Sequence, residues 1–412
     1  MKNGNPKYSI VIPTRNRAEY LPFAVESVLS VKRTDIELII SNNYSGDGTA
    51  SYLSGLSDSR LKVIMPAMEL PMSKHYEYAI SHATGEWVTI LGDDDAIMPY
   101  LFDQLDCLEE KFPDVSIISS ERAYYFWEGC EDLYGNVVVS YESNDKEELR
   151  STQRDLFSAL AGIRSCFNLP QIYTSCIAKR SIVEKIKADS GGYFFYSIIP
   201  DMYSVIALSL MESKYLRVGK PLFWTGTSNK SMSRSDRIYK DSKLQKNDVV
   251  IDSDNRVITL NGNVSQRLHG YGFSSLYLYE ALLQCPLSSG VWRSKFIQTI
   301  VYASLKANAK SVAASAKVDK VYLMSEIDAE IRKNEGAPIF IRIALLLIFT
   351  IEIIQWILAW PARIKRRLLN TSEKHRIFST NREDYPTIAE ASKAVEILNM
   401  KLTNIELSRI KL

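Results

Sequence analysis

The sequence predicts an α/β fold in which helices cover both faces of a mostly parallel sheet. Short apolar, β-branched runs alternate with segments of helical periodicity through the first 115 residues, and this alternation is typical of parallel sheets. Turn-forming residues separate the segments, most clearly in the cluster from Ser41 to Gly48, where serine, asparagine and glycine favour a loop.

The predicted elements follow from two periodicities. Strands are the short β-branched runs, and helices are the segments in which apolar residues recur at every third or fourth position. Beyond residue 119 the aromatic segment 123–141 favours antiparallel strands, and 266–335 is expected to be helical. In chain order, we expect strands at 8–12, 36–40, 61–65, 87–92 and 115–119, with helices from 21, 52, 72 and after 99.

Composition excludes several classes of protein. The chain has 412 residues and a formal net charge of +2, which gives no electrostatic support for nucleic-acid binding. Its five cysteines form no CxxC pair, so we expect reduced thiols in a cytosolic protein. Only four histidines are present, which disfavours a histidine-rich metal site. The N-terminus lacks the long apolar core of a signal peptide.

Three consecutive aspartates, Asp93, Asp94 and Asp95, close the predicted strand that begins at Trp87. The carboxyl edge of an open α/β sheet is where ligands bind. Carboxylate oxygens so close together suit Mg²⁺ or Mn²⁺, which also take substrate phosphate oxygens. The alternative is an acidic turn or a helix cap before the helix that follows Pro99.

A long apolar stretch lies near the C-terminus. Residues 339–360 are apolar apart from Arg342, Thr350, Glu352 and Gln355, and a basic cluster follows at 363–367. We expect a helix lying in the membrane interface, with the basic cluster on anionic lipid. The alternatives are a helix buried against protein and a spanning helix, which the two charges make costly.

Five segments, in the right order, resemble a family 2 glycosyltransferase. The resemblance covers about residues 7–225, and within the family the chain is similar to bacterial O-antigen and capsule sugar transferases. The segments read SIVIPTRNRAEYLPFAVESVL, LIISNNYSGDGT, HYEYAISHATGEWVTILGDDD, YTSCIAKRSIVEKI and IIPDMYSVIALSL. The resemblance implies a GT-A fold, Rossmann-like in its sheet, a nucleotide-sugar donor and a divalent metal.

The resemblance also implies site residues. The donor would contact the loop after the first strand and the aspartates, and Asn42 stands where the family usually has an aspartate for the base. Asp93 and Asp95 would bind Mg²⁺ or Mn²⁺, although the family motif fits more than one pair of the triplet. The implied donor-binding residues are Pro13, Thr14, Arg15, Asn42, Asp93 and Asp94.

Asp201 matches the family aspartate that precedes an apolar helix, so the resemblance implies that it is the catalytic base. Its alternative role is to cap that helix. The polar, basic loop 226–245 contains Lys230, Arg234 and Arg237. These side chains would close over the diphosphate, or else belong to a solvated loop.

We therefore expect an inverting, metal-dependent enzyme that transfers a sugar to a glycan or polyprenyl-linked acceptor. It would bind the inner face of the plasma membrane peripherally through residues 338–367. The alternatives are a non-catalytic, membrane-associated adaptor and a sugar nucleotidyltransferase, whose Gly-rich phosphate loop is missing here. The expected parts are 1–115 for the nucleotide sugar, 116–245 for the acceptor and mobile loop, 246–337 helical, and 338–412 membrane-associated.

Overall fold

A computed structural model of the chain describes residues 6–131, 135–197, 199–230, 268, 273–316, 318–333, 340–347, 350 and 376–410. The strands are β1 (Tyr8–Thr14), β2 (Ile36–Asn42), β3 (Leu61–Ile64), β4 (Trp87–Ile90), β5 (Ala96–Ile97), β6 (Ile117–Ser120), β7 (Ala123–Phe126), β8 (Val139–Glu142), β9 (Glu147–Ser151), β10 (Cys176–Lys179), β11 (Lys214–Val218), β12 (Phe223–Thr227) and β13 (Arg376–Ser379). The helices are α1 (Leu21–Leu29), α2 (Thr49–Ser54), α3 (Met72–Ile80), α4 (Leu101–Lys111), α5 (Thr152–Leu160), α6 (Arg180–Asp189), α7 (Pro200–Met211), α8 (Ser274–Gln284), α9 (Lys295–Ala316), α10 (Lys320–Lys333) and α11 (Ile388–Ile410).

The larger sheet is mixed but mostly parallel. Its strand order is β3-β2-β1-β4-β10-β6-β11-β9. Strands β1 to β4 pair in parallel, as do β6 and β11. Strand β10 runs antiparallel to both of its neighbours, and β9 runs antiparallel to β11. The predicted α/β fold is therefore confirmed.

Helices pack on both faces of the larger sheet, as predicted. Strand β1 is buried along its whole length, and its side chains alternate between faces with the period of two that a strand imposes. Ile10 and Ile12 pack with α1, α2 and α4. Val11 packs on the other face with α3, α5 and α7. Two apolar layers thus hold β1 at the centre of the domain.

A smaller sheet lies beside the aspartates. Its order is β13-β8-β7-β12-β5, and β5 begins directly after Asp95. Strands β7 and β8 pair antiparallel, as the aromatic segment predicted. Strand β13 comes from near the end of the chain and adds to β8 in antiparallel register. The sequence pattern did not predict this strand.

The C-terminal helix packs on the N-terminal domain. Ile388, Ala391 and Val395 of α11 are buried in a cluster with Trp127 and Trp224. The indole N–H of Trp224 also donates to the Ser392 hydroxyl at 2.9 Å. Residues 376–410 belong to the predicted membrane-associated segment 338–412. The structure places them against the smaller sheet.

Helices α8, α9 and α10 cover one side of the molecule, where the sequence predicted a helical region. They share an apolar core with α5 and α7, and Ile341 and Ala344 of the helical stretch 340–347 add to it. Within the described ranges, no helix is long and apolar enough to cross a membrane. Most of 339–360 and all of 363–367 lie outside those ranges. All five cysteines are free thiols.

Candidate active site

Three strands of the larger sheet end side by side at one edge. Strand β1 ends at Thr14 and β2 at Asn42, and these two residues are partners in the register. Strand β4 runs parallel to β1 on its other side and ends at Ile90, just before the aspartate triplet. Because ligands bind at the carboxyl edge of such sheets, three predicted segments meet where a site is expected.

The carboxylate of Asp95 is enclosed by protein donors. Its Oδ2 accepts hydrogen bonds from the Gly92 N–H and the Thr174 hydroxyl, both at 2.9 Å. Its Oδ1 accepts from the Gly226 N–H at 2.6 Å. Burial, with Asp94 adding to it, raises the pKa of Asp95 well above its ordinary value. Asp95 thereby joins β12 to the loops that follow β4 and precede β10.

The backbone is tightly packed around these hydrogen bonds. A Cβ on Gly226 would lie 1.6 Å from the carbonyl oxygen of Asp94, and a Cβ on Gly92 would lie 2.2 Å from Asp95 Oδ2. Thr174 has a φ of 49°, which is a left-handed conformation that β-branched residues rarely adopt. Such strain costs about 1–3 kcal/mol and tends to occur at functional sites.

Asp93 and Asp94 face the guanidinium of Arg17. The Arg17 Nε lies 3.6 Å from Asp93 Oδ1, and Nη1 lies 3.9 Å from Asp94 Oδ2. The Thr14 hydroxyl donates to Asp93 at 2.9 Å, and the Ser228 hydroxyl donates to Asp94 at 2.6 Å. Burial raises the pKa of Asp93 to about 7, although the Arg17 charge opposes this.

This arrangement fits a divalent cation held by two carboxylates. One oxygen each of Asp93 and Asp94 already converges on a single positive charge. Mg²⁺ is commonly bound by one or two carboxylates together with substrate phosphates. In the described part of the chain, no three histidine, cysteine, aspartate or glutamate side chains form a group that could hold a metal ion.

Arg15 and Arg17 have different surroundings, although one residue separates them. Arg15 is exposed and pairs with Glu69 at 2.6 Å, whereas Arg17 lies against the aspartates. Asn16 between them has a φ of 57°, and its Oδ1 accepts from the Gly46 N–H at 2.7 Å. Nothing in the sequence distinguishes the two arginines.

The other predicted donor-binding residues lie at the same edge. Asn42 is buried, and its Oδ1 accepts a hydrogen bond from the Ser45 N–H at 3.1 Å. Pro13 is buried in β1 beside Ser41 of β2. The nucleoside contacts assigned to Pro13, Thr14, Arg15 and Asn42 remain predictions.

His75 of α3 contacts Ser41 of β2 close to this edge of the sheet. Its Nε2 lies 3.1 Å from the carbonyl oxygen of Ser41, and because a carbonyl only accepts, this nitrogen carries the proton. Burial lowers the pKa of His75 to about 4, so the ring is neutral near pH 7. No sequence pattern indicated a role for this histidine.

Asp201 lies in the first turn of α7, directly after Pro200. It is inside the helix, and Ile199 before the helix makes no side-chain capping bond. Burial raises the pKa of Asp201. Burial raises the pKa of Tyr76, and the charges of Asp93 and Asp201 add to this shift.

The Arg122 guanidinium acts on Asp201 from the loop between β6 and β7. Arg122 donates from Nη2 to Gln171 at 2.7 Å, and its guanidinium lies 5.2 Å from the ring centroid of Phe167. Its Nε is buried without a hydrogen-bond partner. The Arg122 charge opposes the upward shift of the Asp201 pKa. No sequence pattern singled out Arg122.

The start of the predicted mobile loop contacts Arg17. The Lys230 carbonyl accepts a hydrogen bond from Arg17 Nη2 at 2.7 Å, and Lys230 Nζ lies 3.5 Å from Glu19. Arg234 and Arg237 lie outside the described residues, so their contact with a diphosphate stays a prediction.

Comparison with known proteins adds independent findings. Residues 9–169 match the model of "Glycosyl transferase family 2". The GalNAc(5)-diNAcBac-PP-undecaprenol beta-1,3-glucosyltransferase of Campylobacter jejuni is 29% identical over 146 residues, which are 35% of this chain and 42% of that protein. The putative glycosyltransferase EpsE of Bacillus subtilis is 27% identical over 122 residues, which are 29% of this chain and 44% of that protein.

Among solved structures, residues 1–349 of S. aureus TarS in complex with UDP-GlcNAc align at 15% identity with a TM-score of 0.45. The alignment covers 80% of this chain and 91% of that one. This chain spans less than half the length of these two curated relatives, 42% of the Campylobacter protein and 44% of EpsE. The matched region contains β1, β2, β4 and the aspartate triplet. Residues 9–169 of this chain thus match the family model of the glycosyltransferases that the sequence resembles.

Proposed function

We propose that this protein is an inverting, metal-dependent glycosyltransferase with a GT-A fold. It transfers a sugar from a nucleotide-diphosphate donor to a glycan or lipid-linked acceptor in cell-surface polysaccharide synthesis. The observation that carries the proposal is that Asp93 and Asp94 converge on one positive charge, the Arg17 guanidinium, at the carboxyl edge of the sheet. Asp201 supports the proposal as a separate carboxylate, because its charge and that of Asp93 both raise the pKa of Tyr76.

The nucleotide sugar binds across the ends of β1, β2 and β4. Pro13, Thr14 and Asn42 border the nucleoside, and Arg15 extends from the same loop. Asp93 and Asp94 would hold Mg²⁺ or Mn²⁺. When bound, the metal neutralises the negative charge that grows on the leaving diphosphate.

The choice between the aspartates follows from their hydrogen bonds. Both oxygens of Asp95 accept bonds from the protein, whereas Asp93 and Asp94 each present an oxygen to Arg17. We therefore favour Asp93 and Asp94 over the pair Asp93 and Asp95. Asp95 shapes the loop that presents the other two.

Asp201 acts as the general base. An acceptor hydroxyl attacks the anomeric carbon of the donor sugar and gives its proton to the Asp201 carboxylate. The new carbon–oxygen bond forms as the bond to the donor phosphate breaks, so one displacement inverts the anomeric configuration. Burial raises the pKa of Asp201, which makes its carboxylate a stronger base. Such proton transfer contributes about 10²- to 10⁴-fold in rate.

The decisive experiment compares Asp201→Asn with the wild-type protein. We expect Asp201→Asn to bind a nucleotide sugar normally and to lose transfer by about 10²- to 10⁴-fold. Asp189→Asn on the exposed end of α6 is the matched control and should transfer normally. Donor identity is found first by screening uridine, cytidine, guanosine and thymidine sugars for Mn²⁺-dependent binding. Undiminished transfer by Asp201→Asn would remove the base from the proposal, and a non-catalytic adaptor would show no transfer at all.

A lipid-linked acceptor at the inner face of the plasma membrane is the finer part of the proposal. The Campylobacter relative carries undecaprenol in the name of its substrate, and residues 338–367 combine an apolar stretch with a basic cluster. Deleting residues from 338 onwards would also remove β13 and α11, so substitution is the better test. We expect glutamine at Arg363, Lys365, Arg366 and Arg367 to weaken flotation with anionic vesicles. Unchanged flotation would contradict the membrane contact.

A further inference from the structure

Arg17 has one set of contacts for its charge and another for its hydrogen bonds. The guanidinium is 3.6 Å from Asp93 and 3.9 Å from Asp94, which is too long for direct hydrogen bonds. Its N–H groups instead donate to the Ser228 hydroxyl at 3.1 Å and to the Lys230 carbonyl at 2.7 Å. The side chain is only 15% exposed. Its charge therefore acts on the two aspartates at short range, with little screening by water.

The position of this charge conflicts with a metal ion at the same oxygens. Two adjacent buried carboxylates need a positive charge among them, and Arg17 supplies it here. A divalent cation bound to Asp93 Oδ1 and Asp94 Oδ2 would stand close to the guanidinium and repel it. Binding of the metal alone is therefore opposed by a residue of the site itself.

A diphosphate removes this conflict. Its oxygens accept hydrogen bonds from a guanidinium in paired geometry, and the diphosphate adds negative charge to the site. Arg17 can then exchange its interaction with the aspartates for one with the phosphates. If the nucleotide changes the affinity for the metal by a given factor, thermodynamic linkage requires the metal to change the affinity for the nucleotide by the same factor.

We propose that Arg17 is a positioning residue that neutralises Asp93 and Asp94 in the metal-free site and moves to the donor diphosphate when the metal binds. This makes metal and nucleotide binding cooperative and keeps the metal weakly bound when no donor is present. The inference rests on the proposed metal-dependent function. It adds a role that Arg15, paired with Glu69 at the surface, does not share.

The test measures Mn²⁺ binding by the electron paramagnetic resonance of free Mn²⁺, on the full chain without substrate. Arg17→Gln removes the charge and retains an NH₂ donor group. Arg17→Met is a second neutral variant, in case the first does not fold. Arg17→Lys keeps the charge, and Arg154→Gln, at an exposed position of α5, is the matched control. Thermal unfolding of every variant checks that it is folded.

We expect the neutral variants to bind Mn²⁺ alone about tenfold more tightly than the wild type, within the roughly 5- to 150-fold range of site coupling. Arg17→Lys and Arg154→Gln should match the wild type. Adding the nucleoside diphosphate of the donor should tighten Mn²⁺ binding less in the neutral variants than in the wild type. Part of the coupling remains, because the phosphates also contact the metal.

Two results overturn the inference in distinguishable ways. If the wild type binds Mn²⁺ with a nucleoside diphosphate, but the neutral variants show the same Mn²⁺ affinity and the same coupling, Arg17 does not oppose the metal. If the wild type binds no Mn²⁺ with any of the four nucleoside diphosphates, the metal-dependent function itself fails, and the role of Arg17 fails with it.

Discussion

Asp95 differs from Asp93 and Asp94 because its carboxylate meets fixed backbone donors on both sides. Oδ2 faces the Gly92 N–H and Oδ1 faces the Gly226 N–H. An asparagine at this position has one acceptor oxygen and one NH₂ donor group. In either orientation, its NH₂ group would face one of these two N–H donors. A buried donor left without an acceptor costs about 1–3 kcal/mol.

We therefore predict that Asp95→Asn lowers the free energy of unfolding by about 1–3 kcal/mol. Asp94→Asn should lower it less, because the Ser228 hydroxyl that contacts Asp94 can both donate and accept. Urea unfolding followed by tryptophan fluorescence measures both variants. The opposite order of stability would show that Asp95 is not the structural member of the triplet.

His75 gives the fold a pH dependence. Its pKa is about 4 in the folded protein and about 6.5 when unfolded, so between these values the unfolded chain binds more protons. The stability that neutral His75 contributes is complete above pH 6.5 and is lost as the pH falls through 4. The pKa difference corresponds to about 3 kcal/mol.

His75→Gln should therefore flatten the decline in unfolding free energy between pH 6.5 and 4, relative to the wild type. His82→Gln is the control, since His82 is less buried on the turn after α3. Equal pH profiles for the wild type and His75→Gln would contradict the prediction.

Residue types predicted the chemistry of the edge better than the positions of individual side chains. The strand before the aspartates and their place at its carboxyl end follow from local pattern. The contrast between Arg15 and Arg17 depends on the left-handed backbone of Asn16, and the enclosure of Asp95 depends on Gly226, which is distant in sequence. Neither has a signal in a single sequence.

At the scale of elements, the approach of β12 to the aspartates is the tightest contact of the site. The Gly226 N–H bonds to Asp95, and the space for a Cβ is filled by the Asp94 carbonyl. The Trp127 indole N–H donates to the same carbonyl at 2.9 Å. Strand β12 and Trp127, which follows β7, thus fix the backbone that carries Asp93 and Asp94.

Gly226→Ala should destabilise the protein and weaken Mn²⁺ binding, because β12 must move away from Asp94. Overpacking of this kind typically costs about 1–3 kcal/mol. Gly55→Ala is the matched control. Its φ is −85° and an added Cβ would be 3.5 Å from its nearest neighbour, so stability should hold or rise slightly. Calorimetry and Mn²⁺ titration measure both effects, and wild-type values for Gly226→Ala would contradict the prediction.

Elements with local signals were predicted from the sequence, and elements formed by distant pairing were not. Strands β1, β2 and β4 are buried runs bounded by turn residues, so their pattern is visible in any short window. Strand β13 has only four residues, Arg376–Ser379, and its burial alternates between exposed and half-buried. It is a strand because β8 offers a free edge, which no window around residue 376 reveals.

At the scale of the whole molecule, the end of the chain completes the core beside the site. Ile388, Ala391 and Val395 pack with Trp127, which holds the Asp94 carbonyl. The Tyr125 hydroxyl donates to the Tyr385 carbonyl at 3.0 Å. Substitutions in α11 can therefore alter the positions of Asp93 and Asp94 through Trp127.

Two isoleucines of α11 provide a matched test. Ile388 is 1% exposed and Ile397 is 53% exposed. We expect Ile388→Ala to cost about 2–5 kcal/mol of unfolding free energy, and Ile397→Ala to stay within about 0.5 kcal/mol. Denaturant unfolding measures both, and equal values would show that α11 does not pack as described.

Strand β13 also changes the topology of the chain. Residues 340–347 are fixed in the core of α9 and α10, and residue 376 begins a strand that is fixed on β8. Both flanks of residues 351–375 are therefore held to the rest of the chain. A cut engineered within 351–375 would leave two fragments held together by a sheet ladder and a buried helix face. The C-terminal fragment would then act as a detachable subunit, which could be removed and added back to measure what the end of the chain contributes to catalysis.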